Sequence, residues 1–259
     1  MGSRRRTIVA LLVTALSSFL ILTGTVAAQS ENRDLIDSLE YQLLYVALPL
    51  TLFVLMILIY AAVKFHDNDD PQPTTEDPAL EITWTAATAI ILLFVGLSGY
   101  SVLVNPYVSP SQALEDDDRS QEGFDSFEDL PETDDEVVHV RGYQWEWQAT
   151  YPGTNVTTEN EIVIPADKDV TFWLTSDDVI HSLFVPDLAV KQDAFPGDYT
   201  RARTIVSEPG RYDAVCSEFC GAGHSRMDAT VVVVEPETYD QWLEDNAGND
   251  NVTAAPEPG

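Results

Sequence analysis

The segment Cys216-Ser217-Glu218-Phe219-Cys220-Gly221-Ala222-Gly223-His224-Ser225-Arg226-Met227 holds both cysteines of the 259-residue chain and lies between β-type runs at 212–215 and 229–234. Two thiols, an imidazole and a thioether in so short a stretch form a soft ligand set, which selects copper, zinc or iron–sulfur over magnesium or calcium. Gly221 and Gly223 would weaken a helix and allow the tight turns that bring such ligands together, so the segment reads as a loop. A disulfide between Cys216 and Cys220 is the alternative in an exported domain, but it leaves His224 and Met227 without a role.

Working outward, further runs rich in Val, Ile, Thr and aromatic residues cover 137–147, 161–165, 170–174, 181–185 and 201–206. Pro-Gly pairs at Pro152-Gly153, Pro196-Gly197 and Pro209-Gly210 punctuate them. Short strands at this spacing predict an all-β sandwich or barrel over 137–236. His181 opens one of these runs. A remote His on a strand or turn, plus a Cys-His-Met loop between the last two strands, resembles the ligand arrangement of cupredoxins. A mononuclear blue-copper site uses one Cys; two bridging thiolates can hold a pair of coppers close enough to share an electron.

The chain begins with a different chemistry. Arg4-Arg5-Arg6, an uncharged apolar run over 7–26 and the small residues Ala27 and Ala28 follow the order of a secretory signal at 1–28, with a first membrane span as the alternative. After a segment at 29–40, residues 41–63 carry no charge, and neither do 82–114. Each is long enough for a helix to cross about 30 Å of hydrocarbon, so transmembrane helices are predicted at 41–63 and 84–105. Pro49 falls inside the first. The loop at 64–83 is acidic, and the positive-inside rule gives it no orientation. With the signal removed, two crossings place everything after residue 105 on the extracellular face of the plasma membrane.

The formal charge is −30, from 43 acidic against 13 basic side chains. Such an excess excludes nucleic acid as a general partner, because phosphate backbones are bound by clustered Lys and Arg. Residues 109–136 hold twelve acids, with Pro110, Gly123 and Pro131, and read as part of a solvated linker at 106–136. An acidic tail at 237–259 follows a short helical pattern near Trp242. Lys64, Lys168 and Lys191 are the sole lysines, and an acid-rich, lysine-poor surface suits an extreme halophile, since repulsion is screened within about 3 Å at 1 M salt.

Taken with its surroundings, the copper-type loop resembles that of subunit II of haem–copper cytochrome c oxidases. Asp178-Val179-Ile180-His181-Ser182, Val185-Pro186 and Lys191-Gln192-Asp193-Ala194-Phe195-Pro196-Gly197 follow the family's order and spacing. Gly142-Tyr143-Gln144-Trp145-Glu146-Trp147 matches its aromatic segment, with Tyr143 where many members have His and Glu146 where they have Tyr. The resemblance implies a two-helix transmembrane hairpin followed by an all-β cupredoxin-like Greek-key sandwich or barrel. It also implies a dinuclear copper A centre, with Cys216 and Cys220 bridging, His181 and His224 capping, and Met227 and the Glu218 carbonyl as weak axial ligands. The Glu218 side chain is similar to the family residue that reaches Mg2+ at the boundary with subunit I. Trp145 matches the residue that takes electrons from the donor, Asp178 a donor-docking acid, and Glu81 the glutamate at a proton-pathway entrance. His66 and His139 match no ligand position.

The implied function is to accept electrons from a cytochrome c or small blue-copper donor and pass them to haem in subunit I, where oxygen reduction drives proton pumping. Subunits I and III and membrane lipid are the implied partners. A nitrous-oxide-type reductase shares the ligand loop but not the two spans or Glu81; a quinol oxidase subunit lacks the ligands. A zinc-bound or disulfide-stabilised binding domain is the remaining alternative.

Overall fold

The computed structural model describes residues 30–70, 73, 75–109, 126–250, 252 and 255–258. The signal segment expected at 1–28 and much of the linker lie outside them. Helix α1 spans Glu31–Phe65 and helix α2 spans Pro78–Leu103. Ser30 caps α1 by accepting from the Arg33 N–H, and Asp77 caps α2 by accepting from Leu80 N–H, each satisfying one of the backbone donors that a helix start leaves free. The long apolar side chains of both helices, among them Phe53, Met56, Ile82 and Leu92, are exposed, as membrane-facing surface is. Pro49 is accommodated within α1 without ending it.

Ten strands build the remainder: β1 (Glu136–Tyr143), β2 (Glu146–Tyr151), β3 (Val156–Glu159), β4 (Glu161–Pro165), β5 (Val170–Ser176), β6 (His181–Val185), β7 (Val190–Ala194), β8 (Thr200–Thr204), β9 (Gly210–Cys216) and β10 (Asp228–Val234). They form two five-stranded sheets, ordered β3-β2-β1-β5-β8 and β4-β10-β9-β6-β7. Period-2 alternation along β1 puts Val138 and Val140 inside with Trp147, Val163, Phe172, Leu183 and Val231, all almost fully buried. Each such aliphatic side chain contributes about 1.5–3 kcal/mol on burial. The result is a cupredoxin-like two-sheet sandwich carried by a pair of apolar helices.

The structure differs from the expected strand pattern in three places. The run read over 137–147 is a hairpin, broken at Gln144 and Trp145. The strands β3 and β7 were not expected; both are short and mostly polar, with Val156 followed by Thr157, Thr158 and Glu159 in β3 and Lys191, Gln192 and Asp193 in β7, so neither presents an apolar run. The end of the linker is also packed: Phe127 stacks on the His139 ring at 4.1 Å, and Asp135 pairs with Arg203. After β10, helix α3 (Pro236–Asn246) sets Tyr239 and Trp242 against Tyr151, and Val252 bridges to Thr158, so part of the tail is covered.

The start of α1 is fastened to the β domain. Glu31 N–H donates to the Ile205 carbonyl, Ser30 Oγ donates to Leu188 O, and the buried Asn32 amide donates to the carbonyls of Tyr107 and Arg203. The segment 29–40, read as separate from the span, is thus largely the first turns of the same helix.

Candidate metal centre

Strand pairing brings the two ligand-bearing segments together. Leu183 of β6 is in register with Cys216 of β9, and Ser217 N–H donates to Ser182 O at 2.9 Å, so His181 at the head of β6 faces the end of β9. The loop from Cys216 to Met227 closes on itself where Cys216 N–H donates to Met227 O at 3.0 Å. These backbone bonds decide that a histidine 35 residues away reaches the thiol loop.

The side chains converge. His181 Nδ1 lies 3.8 Å from Cys216 Sγ, the two Sγ atoms are 3.8 Å apart, and Cys220 Sγ is 3.6 Å from His224 Nδ1 and 3.7 Å from Met227 Sδ. The Glu218 carbonyl oxygen lies 3.2 Å from Cys216 Sγ. The ligand atoms of His181, Cys216 and Cys220 fall within 4.8 Å of one another, and all three residues are buried. A disulfide has sulfurs about 2.05 Å apart, so this pair is open. Soft metal–sulfur bonds of about 2.3 Å suit a sulfur pair of this width, and the imidazoles, thioether and carbonyl lie on its flanks. The residues therefore fit a copper pair: sulfur and imidazole donors converge here, and among the described residues no carboxylate oxygen joins the cluster.

The electrostatics are uneven. Burial pushes the Cys216 thiol up, but hydrogen bonding to His181 and backbone contacts at Ser182 and Glu218 bring it down to about 6. Cys220 is raised to about 11 by burial and by the charge of Cys216 beside it. Burial works against the charge of Asp178, yet its bonds with His181, Val179 N–H and Gln144 N–H outweigh that and hold its carboxyl below the ordinary range. The Asp178 carboxylate is 2.8 Å from His181 Nε2, which leaves Nδ1 aimed at sulfur. Sequence reasoning associated Asp178 with the donor; an i, i+3 spacing to a ligand His was the available signal for this second contact.

Trp145 and Trp147 differ in setting because Trp145 sits in the turn between β1 and β2, whereas Trp147 lies within β2. Trp147 is fully buried and meets the His181 ring edge-on at 5.8 Å, whereas Trp145 stays 37 % exposed over the loop. Glu218 and Phe219 are exposed, and the Phe219 ring lies 5.8 Å from that of His224. Glu81 lies far from these residues in sequence, exposed in the first turn of α2 on a shallow groove with Ile82, Thr85 and Ala89.

The fold and the site together define a membrane-anchored, cupredoxin-like protein with a soft, multi-sulfur cluster of candidate metal ligands. The model of the cytochrome c oxidase subunit II transmembrane domain matches residues 9–102, and that of its periplasmic domain matches residues 148–235. Over 254 residues the chain is 30% identical to cytochrome c oxidase subunit 2 of Synechocystis sp., covering 85% of this chain and 75% of that protein. It is 29% identical over 266 residues to the corresponding subunit of Cereibacter sphaeroides, covering 87% and 80%. The crystal structure of the periplasmic domain of subunit II of cytochrome oxidase from Bradyrhizobium japonicum is 29% identical and covers 45% of this chain and 95% of that one, with a TM-score of 0.42. The chain belongs to the cytochrome c oxidase subunit II family. It is accordingly an oxidoreductase subunit and a membrane protein with its β domain outside the membrane.

Proposed function

We propose that this chain takes up single electrons from an external donor at a dinuclear copper centre and delivers them to haem in subunit I of a terminal oxidase. The observation that carries the reading is the convergence of two open thiols, two imidazoles, a thioether and a carbonyl in one loop and its neighbouring turn. Cys216 and Cys220 would bridge the metals, His181 and His224 would each hold one, and Met227 and the Glu218 carbonyl would be the weak ligands. A copper pair so held supplies a one-electron store whose geometry changes little between oxidation states.

The chain's own residues set the route and the orientation. Trp145 presents a polarizable ring between solvent and the loop, so a donor can approach the centre without its being exposed to water. Asp178 fixes the tautomer and direction of His181, as a carboxylate partner does for a ligand imidazole; the edge it leaves exposed is where a cationic donor patch would rest. The exposed Glu218 carboxylate would reach Mg2+, a hard ion that prefers oxygen, at the subunit I boundary. Glu81 at the membrane edge would admit protons to subunit I. A cytochrome c or a small blue-copper protein would be the donor, with subunit III in the same complex. The proposed organisation keeps the signal at 1–28, spans at 41–63 and 84–105 separated by the loop at 64–83, the linker at 106–136, the copper domain at 137–236 and the tail at 237–259.

Electron paramagnetic resonance of the purified complex tests this. A multiline spectrum from one electron shared by two coppers is expected, lost in Cys216→Ser and Cys220→Ser. A four-line mononuclear spectrum, or one zinc per chain, would overturn it.

A further inference from the structure

The tip of the β1–β2 hairpin belongs to the opposite sheet from His181 and the cysteines, yet it rests on both ligand-bearing segments. Gln144 makes that contact twice. Its backbone N–H donates to Asp178 Oδ2 at 2.8 Å, and Asp178 holds His181 Nε2 through its other oxygen. Its side-chain Nε2 donates to the Cys220 carbonyl at 2.6 Å. One residue thus ties the turn carrying the first imidazole to the loop carrying the thiols, in addition to the β6–β9 backbone bonds.

The next residue depends on the same seating. A Cβ on Gly223 would fall 2.3 Å from Trp145 Cδ2 and 2.5 Å from Cγ, so the indole lies directly on the loop backbone, and a side chain there would push the ring away. Gly221, at φ +117°, would bring a Cβ within 2.9 Å of the Gln144 amide nitrogen. The two glycines leave the space that the two hairpin-tip side chains fill.

We propose that Gln144 is a positioning residue of the metal centre: its two hydrogen bonds lock the His181 turn to the thiol loop and hold the Trp145 ring against Gly223. The proposal rests on the copper reading above for its effect on electron uptake, but not for its effect on the loop. A net hydrogen bond of ordinary strength corresponds to a change of roughly three- to tenfold in an opening equilibrium.

The test uses the whole complex with Gln144→Met, which keeps side-chain length and removes the donor, and Gln144→Glu, which replaces the amide with a carboxylate facing the Cys220 carbonyl. Two measurements are made. In complex from copper-starved cells, alkylation of Cys216 and Cys220 reports loop opening and needs no metal; both variants should react roughly three- to tenfold faster than wild type. In copper-replete complex, chelator-driven metal loss should accelerate, and electron uptake from a reduced donor should slow, with Gly223→Ala slowing uptake as well. Wild-type alkylation and metal-loss rates in Gln144→Met would show that the side chain only fills space and would overturn the proposal. A wild-type complex without a multiline spectrum would overturn the dicopper reading instead, leaving the alkylation contrast to decide on Gln144.

Discussion

His139 shows how one residue's surroundings set a measurable pH response. It lies in β1 under the Phe127 ring, and burial lowers its pKa to about 4, with nearby Arg141 acting in the same direction and Glu128 opposing. The unfolded chain takes up this proton near the ordinary value of about 6.5, before the folded one does. The folded state therefore loses stability as pH falls from about 6.5 towards 4, with no such contribution above that window. The thermal midpoint of the β domain should fall across this interval, and His139→Gln should flatten the fall; an imidazole titrating near 6.5 in the folded protein would contradict this. The His139 environment was not legible in the sequence, because Phe127 sits in a stretch whose twelve acids read as solvated. The grouping of Cys216, Cys220, His224 and Met227 was legible, since their chemistry and spacing lie within one loop, whereas His181, 35 residues away, was tied to them only by resemblance.

At the scale of elements, the joint between helix α1 and the sandwich is held by a polar cluster centred on β8. Arg203 forms a fork on Asp135 at 2.7 and 2.9 Å, reaches Asp169 at 2.7 Å and lies over the Tyr107 ring, while its carbonyl accepts from Asn32. Asp135 is almost buried, so removing Arg203 leaves its charge with only the Thr171 hydroxyl and the nearby Arg201 to offset burial. Arg203→Ala should destabilise the domain by about 3 kcal/mol. Arg203→Lys should recover little of this, because one ammonium cannot reproduce a guanidinium fork serving two carboxylates. Thermal unfolding of both variants measures it, and wild-type midpoints would show that the cluster does not fasten the joint. The apolar spans stood out by composition alone. The joint did not, because Asn32, Tyr107, Asp135, Asp169 and Arg203 come from five separate stretches of chain with no shared pattern.

At the scale of the whole molecule the charge is the dominant property. From residue 105 onward there are 33 acidic and 8 basic side chains, a net −25, nearly all on the exported part. Self-repulsion of such a surface weakens as the Debye length contracts from about 10 Å at 0.1 M salt to about 3 Å at 1 M. The thermal midpoint of the β domain should therefore rise with salt, while uptake of electrons from a lysine-rich donor slows as steering is lost. A midpoint independent of ionic strength would count against the surface being built for a saline exterior. By itself the sequence determined the two apolar spans, the all-β class and the soft ligand set, since each rests on composition or on spacing within one segment. Tertiary structure alone decided that β6 and β9 pair, which brings His181 to Cys216, that the hairpin tip seats Gln144 and Trp145 on the loop, and that Asp178 turns inward to an imidazole. Those outcomes depend on strand order and register, which arise from long-range pairing between stretches that carry no local mark of one another.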